Sequence, residues 1–152
     1  MANILDLPRN EADVIIALNK LCPEAMFNMT GHGKQSYWLM AAGLIIDGEY
    51  KRALTLEISC RESPKPRRTG YKFTIFKSEL GAPRRVYQLD VYLPPICEHG
   101  DHDWPHEHLG QDRVNFSYDF PKTFDECVAY FCKKTNMEFE ISLESPLNFS
   151  LR

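Results

Sequence analysis

An α+β fold is expected of this chain: an antiparallel meander of four to five strands, with one N-terminal and one C-terminal helix. Three features of the 152-residue sequence lead there. Helical periodicity is confined to two stretches, alternating apolar and polar residues fill the middle, and Gly- or Pro-containing turns separate the alternating runs. Hydrophobic residues make up 43% of the chain and charged residues 26%, ordinary values for a globular domain. The length suits a single domain over residues 1–152, large enough to bury a core without staples.

The first helix is expected over Glu11 to Leu21, where Val14, Ile15, Leu18 and Leu21 share a face. Asn10 suits its N-cap, Asp13 sits where a carboxylate can reach back, and Cys22-Pro23 ends it. Tyr37 to Ile46 and Tyr50 to Arg61 flank Asp47-Gly48, a strong hairpin signal. Met-Ala-Ala within the first of these runs would also suit a helix. Glu62 to Gly70, with its prolines and basic residues, reads as a loop.

Tyr71 to Lys77 and Arg85 to Leu93 alternate on either side of a turn at Gly81-Ala82-Pro83. Pro94-Pro95 stops that strand, and Arg113 to Tyr118 supplies a short fifth one. The second helix is expected over Pro121 to Asn136, capped by Thr123, with Asp125 and Glu126 in its first turn and Lys133-Lys134 closing it. Its apolar face would be Phe124, Cys127 or Val128, and Phe131. Phe139, Ile141 and Leu143 alternate again, as a last edge strand or an ordered tail. Of the strand aromatics Tyr71, Phe73, Phe76, Tyr87 and Tyr92, most belong to the core and a few could stack bases.

The longest apolar run, Leu39 to Ile46, is far too short for a bilayer, and Asp6 and Pro8 break any signal-peptide pattern. A cytoplasmic location without membrane association is the expectation. Five cysteines without a C-x-x-C pair predict reduced, mostly buried thiols. Cys97 is the exception, because it flanks the most unusual segment of the chain.

That segment is Cys97 to Gly110, which holds four of the five histidines and four carboxylates. Imidazole titrates near neutrality and is the commonest metal ligand, so metal binding and acid–base catalysis are both open, beside a polar loop without chemistry. As a metal site, His106 and His108 would form a chelating pair, with His99, His102 or Cys97 as further ligands and zinc as the favoured ion. As a metal-independent ribonuclease site, His106 and His108 would serve as base and acid, with Arg85, Arg84 or Arg113 meeting the phosphorane charge. A magnesium variant would draw on Asp101, Asp103 and Glu107.

Charge is unevenly spread. Arg61 to Arg85 carries eight Lys/Arg against two acids, whereas Glu98 to Glu126 carries eight acids against two bases. Lys65, Arg67, Arg68 and Arg84 are therefore the expected contacts to a nucleic-acid backbone, unless the two stretches simply pair across neighbouring strands.

The order Gln88-Leu89-Asp90, Pro94-Pro95, Pro105-His106-Glu107-His108 and a helix from Thr123 to Asn136 resembles the TumE-type toxins of bacterial toxin–antitoxin loci and their relatives. The resemblance covers about Tyr71 to Asn136. It implies a toxin acting on cellular nucleic acid or translation, held in check by a partner antitoxin, with His106 and His108 as the matching site residues. Where that pattern has a histidine pair after the proline turn, this chain has Ile96-Cys97-Glu98-His99. The competing class is a non-enzymatic interaction protein, such as a phage or mobile-element inhibitor of a host defence complex. A nearly balanced 21 acids against 18 bases speaks against a DNA mimic.

Overall fold

Two tight turns organise the centre of the computed structural model, which describes residues 5–33, 36–64, 67–95 and 104–147. Asp47 and Gly48 both adopt positive φ (53° and 78°) and turn β3 (Tyr37–Ile46) into β4 (Glu49–Pro64). Leu80 and Gly81 do the same (53° and 79°) between β5 (Arg67–Glu79) and β6 (Ala82–Leu93). Positive φ at both central residues matches the twist of an antiparallel pair, hence the preference for Asn, Asp and Gly there. Leucine is a poor choice at Leu80, and its side chain is fully exposed. Leu80→Asn is expected to stabilise the fold by about 1 kcal/mol, read as a higher midpoint in urea.

The meander is larger than the four to five strands expected. Among the described residues the sheet has nine strands in the order β8-β7-β6-β5-β4-β3-β1-β9, with β2 (Asn28–Thr30) also pairing with β3. The short fifth strand expected over Arg113 to Tyr118 is β8 (Asp112–Asn115); the additional strands are β1 (Lys20–Cys22), β2, β7 (His106–Leu109) and β9 (Met137–Phe139), and β1 and β9 run parallel. The segment expected as a loop after Glu62 is strand: β4 and β5 pair out to Pro64 and Arg67. Tyr37–Ile46 is strand throughout, not helix. Among the described residues, no helix is long and apolar enough to cross a membrane.

Helix α1 runs from Arg9 to Ala17, starting and stopping earlier than its periodicity suggests. Pro8 precedes it, so Asn10 is not its cap. Ala12, Ile15 and Ile16 are buried, while Val14 (65%) and Leu18 (39%), placed on the core face by sequence, are exposed. Lys20 explains the early stop. Its buried ammonium donates to the carbonyls of Ile16 (2.9 Å) and Leu18 (2.6 Å), which close α1, and of Thr135 (2.6 Å) at the end of α2 (Phe124–Thr135). Tertiary contact overrides helical continuation there. Helix α2 follows its sequence signals: the Glu126 amide donates to Thr123 Oγ1 at 3.1 Å, and Phe124, Cys127 and Phe131 face the core.

Both helices pack on one face of the sheet. Ile58, Phe73 and Leu89, mutual ladder partners, point to that face and are wholly buried, and Phe73 meets Phe131 and Phe124. The other face carries the polar partners of the same strands. One row reads Ser59–Lys72–Asp90–His106–Asn115 across five strands, and the next Glu57–Thr74–Gln88–His108–Arg113. The whole candidate site lies on this face.

Candidate active site

His106 and His108 are on β7, a strand, and not in the loop expected for them. A spacing of two puts both imidazoles on one face, and their ring centres lie 4.9 Å apart at 83°. Register with β6 sets His106 beside Asp90 and His108 beside Gln88. His106 is buried; its Nδ1 lies 2.7 Å from the Trp104 carbonyl, so Nδ1 carries the hydrogen. Its Nε2 lies 3.7 Å from Asp90 Oδ2. Protonation of that nitrogen would give His106 two anionic or carbonyl acceptors, one for each N–H.

The two rings are pulled differently. Burial lowers the proton affinity of His106, and the charges of Arg113 and Arg85 add to that, against the Trp104 carbonyl and Asp90, which raise it. Burial also lowers that of His108, to about 3, and there the positive charges of Arg85, Arg113 and Lys72 reinforce it. At neutral pH His108 is an unprotonated base in a cationic field, and His106 is the ring with a carboxylate against its outer nitrogen.

Glu107, between them, faces the opposite way into the core. Tyr87 and Tyr130 donate phenolic hydrogen bonds to its two oxygens at 2.7 and 2.8 Å. This turns a charged residue into an anchor that fixes which face the histidines occupy, since a slip of one residue would invert the strand. It also removes Glu107 from any magnesium site on the histidine face. Glu107→Ala is expected to lower stability by about 3 kcal/mol, measured in urea, by leaving two buried phenols without an acceptor; Glu107→Gln should recover part of it.

The cations are unevenly available. Arg85 is held by Asp6 at 2.9 Å and by Gln88 at 3.1 Å, so its charge is partly offset. Arg84 pairs with Glu79 at 3.3 Å and Arg67 with Glu62 at 3.4 Å. Arg68 is buried, stacks over Tyr92 at 3.8 Å and donates to the Pro94 carbonyl. Lys65 lies outside the described residues. Arg67, Arg68 and Arg84, the described residues among the four expected to grip a backbone, thus do not form one group, and Arg68 serves the fold. Arg113 sits directly across from His108, and Lys72 across from Asp90. The strand pattern RVYQLDVYL already implied that Gln88, Asp90 and Tyr92 share a face; Lys72 follows from the same parity on β5.

For metal, His99, His102 and Cys97 lie outside the described residues. Within them, no three His, Cys, Asp or Glu side chains converge as a metal site. The described cysteines are free thiols, and burial raises Cys60 and Cys127 to about 12, which makes them poor nucleophiles at neutral pH. What the arrangement can do is move a proton between two imidazoles beside a cluster of cations. No protein family, curated protein or solved structure matches this chain.

Proposed function

We propose that the protein is a metal-independent ribonuclease of the toxin kind, cleaving RNA by internal transesterification. The observation that supports this most is the His106–His108 pair on one sheet face, His106 buried and His108 half-buried, with the charges of Arg85, Arg113 and Lys72 acting on His108. His108, unprotonated at neutral pH, takes the proton of a ribose 2′-hydroxyl once the bound phosphodiester offsets the positive charges that weaken it as a base. The 2′-oxygen attacks phosphorus, the bond to the 5′-oxygen breaks, and His106 delivers its proton to that leaving oxygen. The products are a 2′,3′-cyclic phosphate and a free 5′-hydroxyl.

An arriving phosphodiester carries its own activation. Its negative charge offsets the positive field of Arg85, Arg113 and Lys72, so an imidazole can hold a proton in the complex that it does not hold alone. Asp90 makes His106 the ring that gains it. The antitoxin implied by the TumE-type resemblance would then act by covering this face.

The test uses the purified protein and a fluorogenic oligonucleotide with one ribonucleotide among deoxynucleotides. Cleavage at that ribonucleotide alone, unchanged in EDTA and leaving a cyclic phosphate, is the expected result. Cleavage of the all-deoxy strand, or loss of cleavage in EDTA, would contradict it and favour a metal-dependent nuclease. No cleavage of either strand would leave an interaction protein as the better reading.

A further inference from the structure

A groove of about 190 Å³ opens on the same sheet face, lined by Ser59, Arg61, Gly70, Lys72, Asp90 and Tyr92. It touches the catalytic pair through Asp90, 3.7 Å from His106 Nε2. A second groove of about 130 Å³ continues it, sharing Ser59, Arg61 and Lys72 and adding Tyr37 and Glu57. The two form one channel leading away from the histidines across β6, β5, β4 and β3.

Its walls are built from paired planes. The Arg61 guanidinium lies 3.9 Å over the Tyr37 ring and the Arg68 guanidinium 3.8 Å over the Tyr92 ring. Gly70 permits the second stack: a Cβ there would come within 2.6 Å of the Tyr92 ring, so only glycine lets that ring lie down on the sheet. Ser63 fixes the ring's far end through a 2.8 Å hydrogen bond to its hydroxyl. Arg68 and Tyr92 are thus a fixed wall. Arg61 is exposed, backed by Tyr37, and lines both grooves.

We propose that this channel is a subsite for an unpaired base of single-stranded RNA, stacked on the Arg61 guanidinium about two to three nucleotides from the one cut at His106 and His108. It rests on the ribonuclease reading and adds to it the form of the substrate. Arg61 on β4 lies three strands, about 14 Å, across the sheet from His106 on β7, and two residues, about 7 Å, along the strands from the His106 row. That span is on the scale of two to three nucleotides in an extended strand. A planar cation backed by an aromatic ring suits a base face, and Lys72 beside it suits a phosphate. A base held in a duplex cannot present its face to Arg61, so the channel selects unpaired RNA.

The experiment is fluorescence anisotropy with a fluorescein-labelled, fully 2′-O-methylated single-stranded RNA decamer, which binds but cannot be cut. The proteins are wild type, Arg61→Lys and Tyr37→Leu, with melting temperatures checked. Arg61→Lys keeps the charge and loses the plane, while Tyr37→Leu removes only the backing ring. Each is expected to weaken binding about tenfold, the size of one lost base stack. The salt dependence of binding in Arg61→Lys should stay that of wild type, because the number of cations is unchanged. Cleavage of a dinucleotide, which fits at the histidines without filling the channel, should be unaffected. If wild type binds and cleaves RNA but both variants bind the decamer equally well, the subsite is wrong and the ribonuclease reading stands. If wild type binds a perfect duplex as tightly as the decamer, selection of unpaired RNA is wrong. If wild type neither binds nor cuts RNA, both readings fall together.

Discussion

The His106→Ala/His108→Ala double variant is expected to lose RNA cleavage by at least a thousandfold while remaining folded. General acid–base groups contribute about 10²–10⁴-fold each, and here the two act on one substrate. Expressed from an inducible promoter, wild type should arrest growth with visible RNA breakdown, and the double variant should do neither. A variant that still arrests growth with intact RNA would move the toxic action to another surface. The same histidines predict an acid limb in stability. His108 has a folded value near 3 against 6.5 when free, so between those values the unfolded chain holds the extra proton. Stability is therefore complete above about pH 6.5 and falls as pH drops towards 3, by an amount on the order of 3 kcal/mol. Urea midpoints at pH 7.5, 6 and 4.5 should decline in wild type and decline less in the double variant.

Lys20→Met is expected to destabilise the protein by about 2–4 kcal/mol. Burial lowers the Lys20 ammonium to about 8, so at pH 7 it still carries three hydrogens. Each meets one carbonyl, from Ile16, Leu18 and Thr135. Methionine fills the space but leaves three buried carbonyls at two helix ends without a donor. Lys20→Arg should not restore stability, since a planar fork cannot aim three hydrogens at acceptors grouped around a point. Urea melts of the three proteins decide this, and an unchanged midpoint in Lys20→Met would show that solvent replaces the donor.

Lys20 also marks where sequence reading reached its limit. The pattern Val14, Ile15, Leu18, Leu21 is a sound helical face, yet the chain leaves the helix after Ala17 because a lysine three residues on can gather distant carbonyls. No local signal encodes Thr135 as a partner. The central hairpins and α2 were legible, because turn residues and caps act within a few positions. The strands β1, β2 and β9 have three residues each, too few for any period to show. Strand β7 was hidden differently: HEHL reads as polar until Tyr87 and Tyr130 neutralise the cost of burying Glu107. His106 and His108 were identifiable by residue type and their face by spacing. Asp90 stood out through its place in the Gln88-Leu89-Asp90 step, Arg85 and Arg113 by residue type, and the placing of Lys72 required the ladder register.

The run from β3 to β8 joins strands that are neighbours in both sequence and space, whereas Lys20 reaches Thr135 across 115 residues. Loop closure disfavours the distant contact until the near ones exist, so the hairpins should form early and the two ends of the chain dock last. The polar face would then be assembled on a meander that has yet to receive its helices. During synthesis, a nascent chain would present the His106–His108 face before it is fully stable, and under the proposed toxin reading an antidote that recognises that face could engage it at that stage.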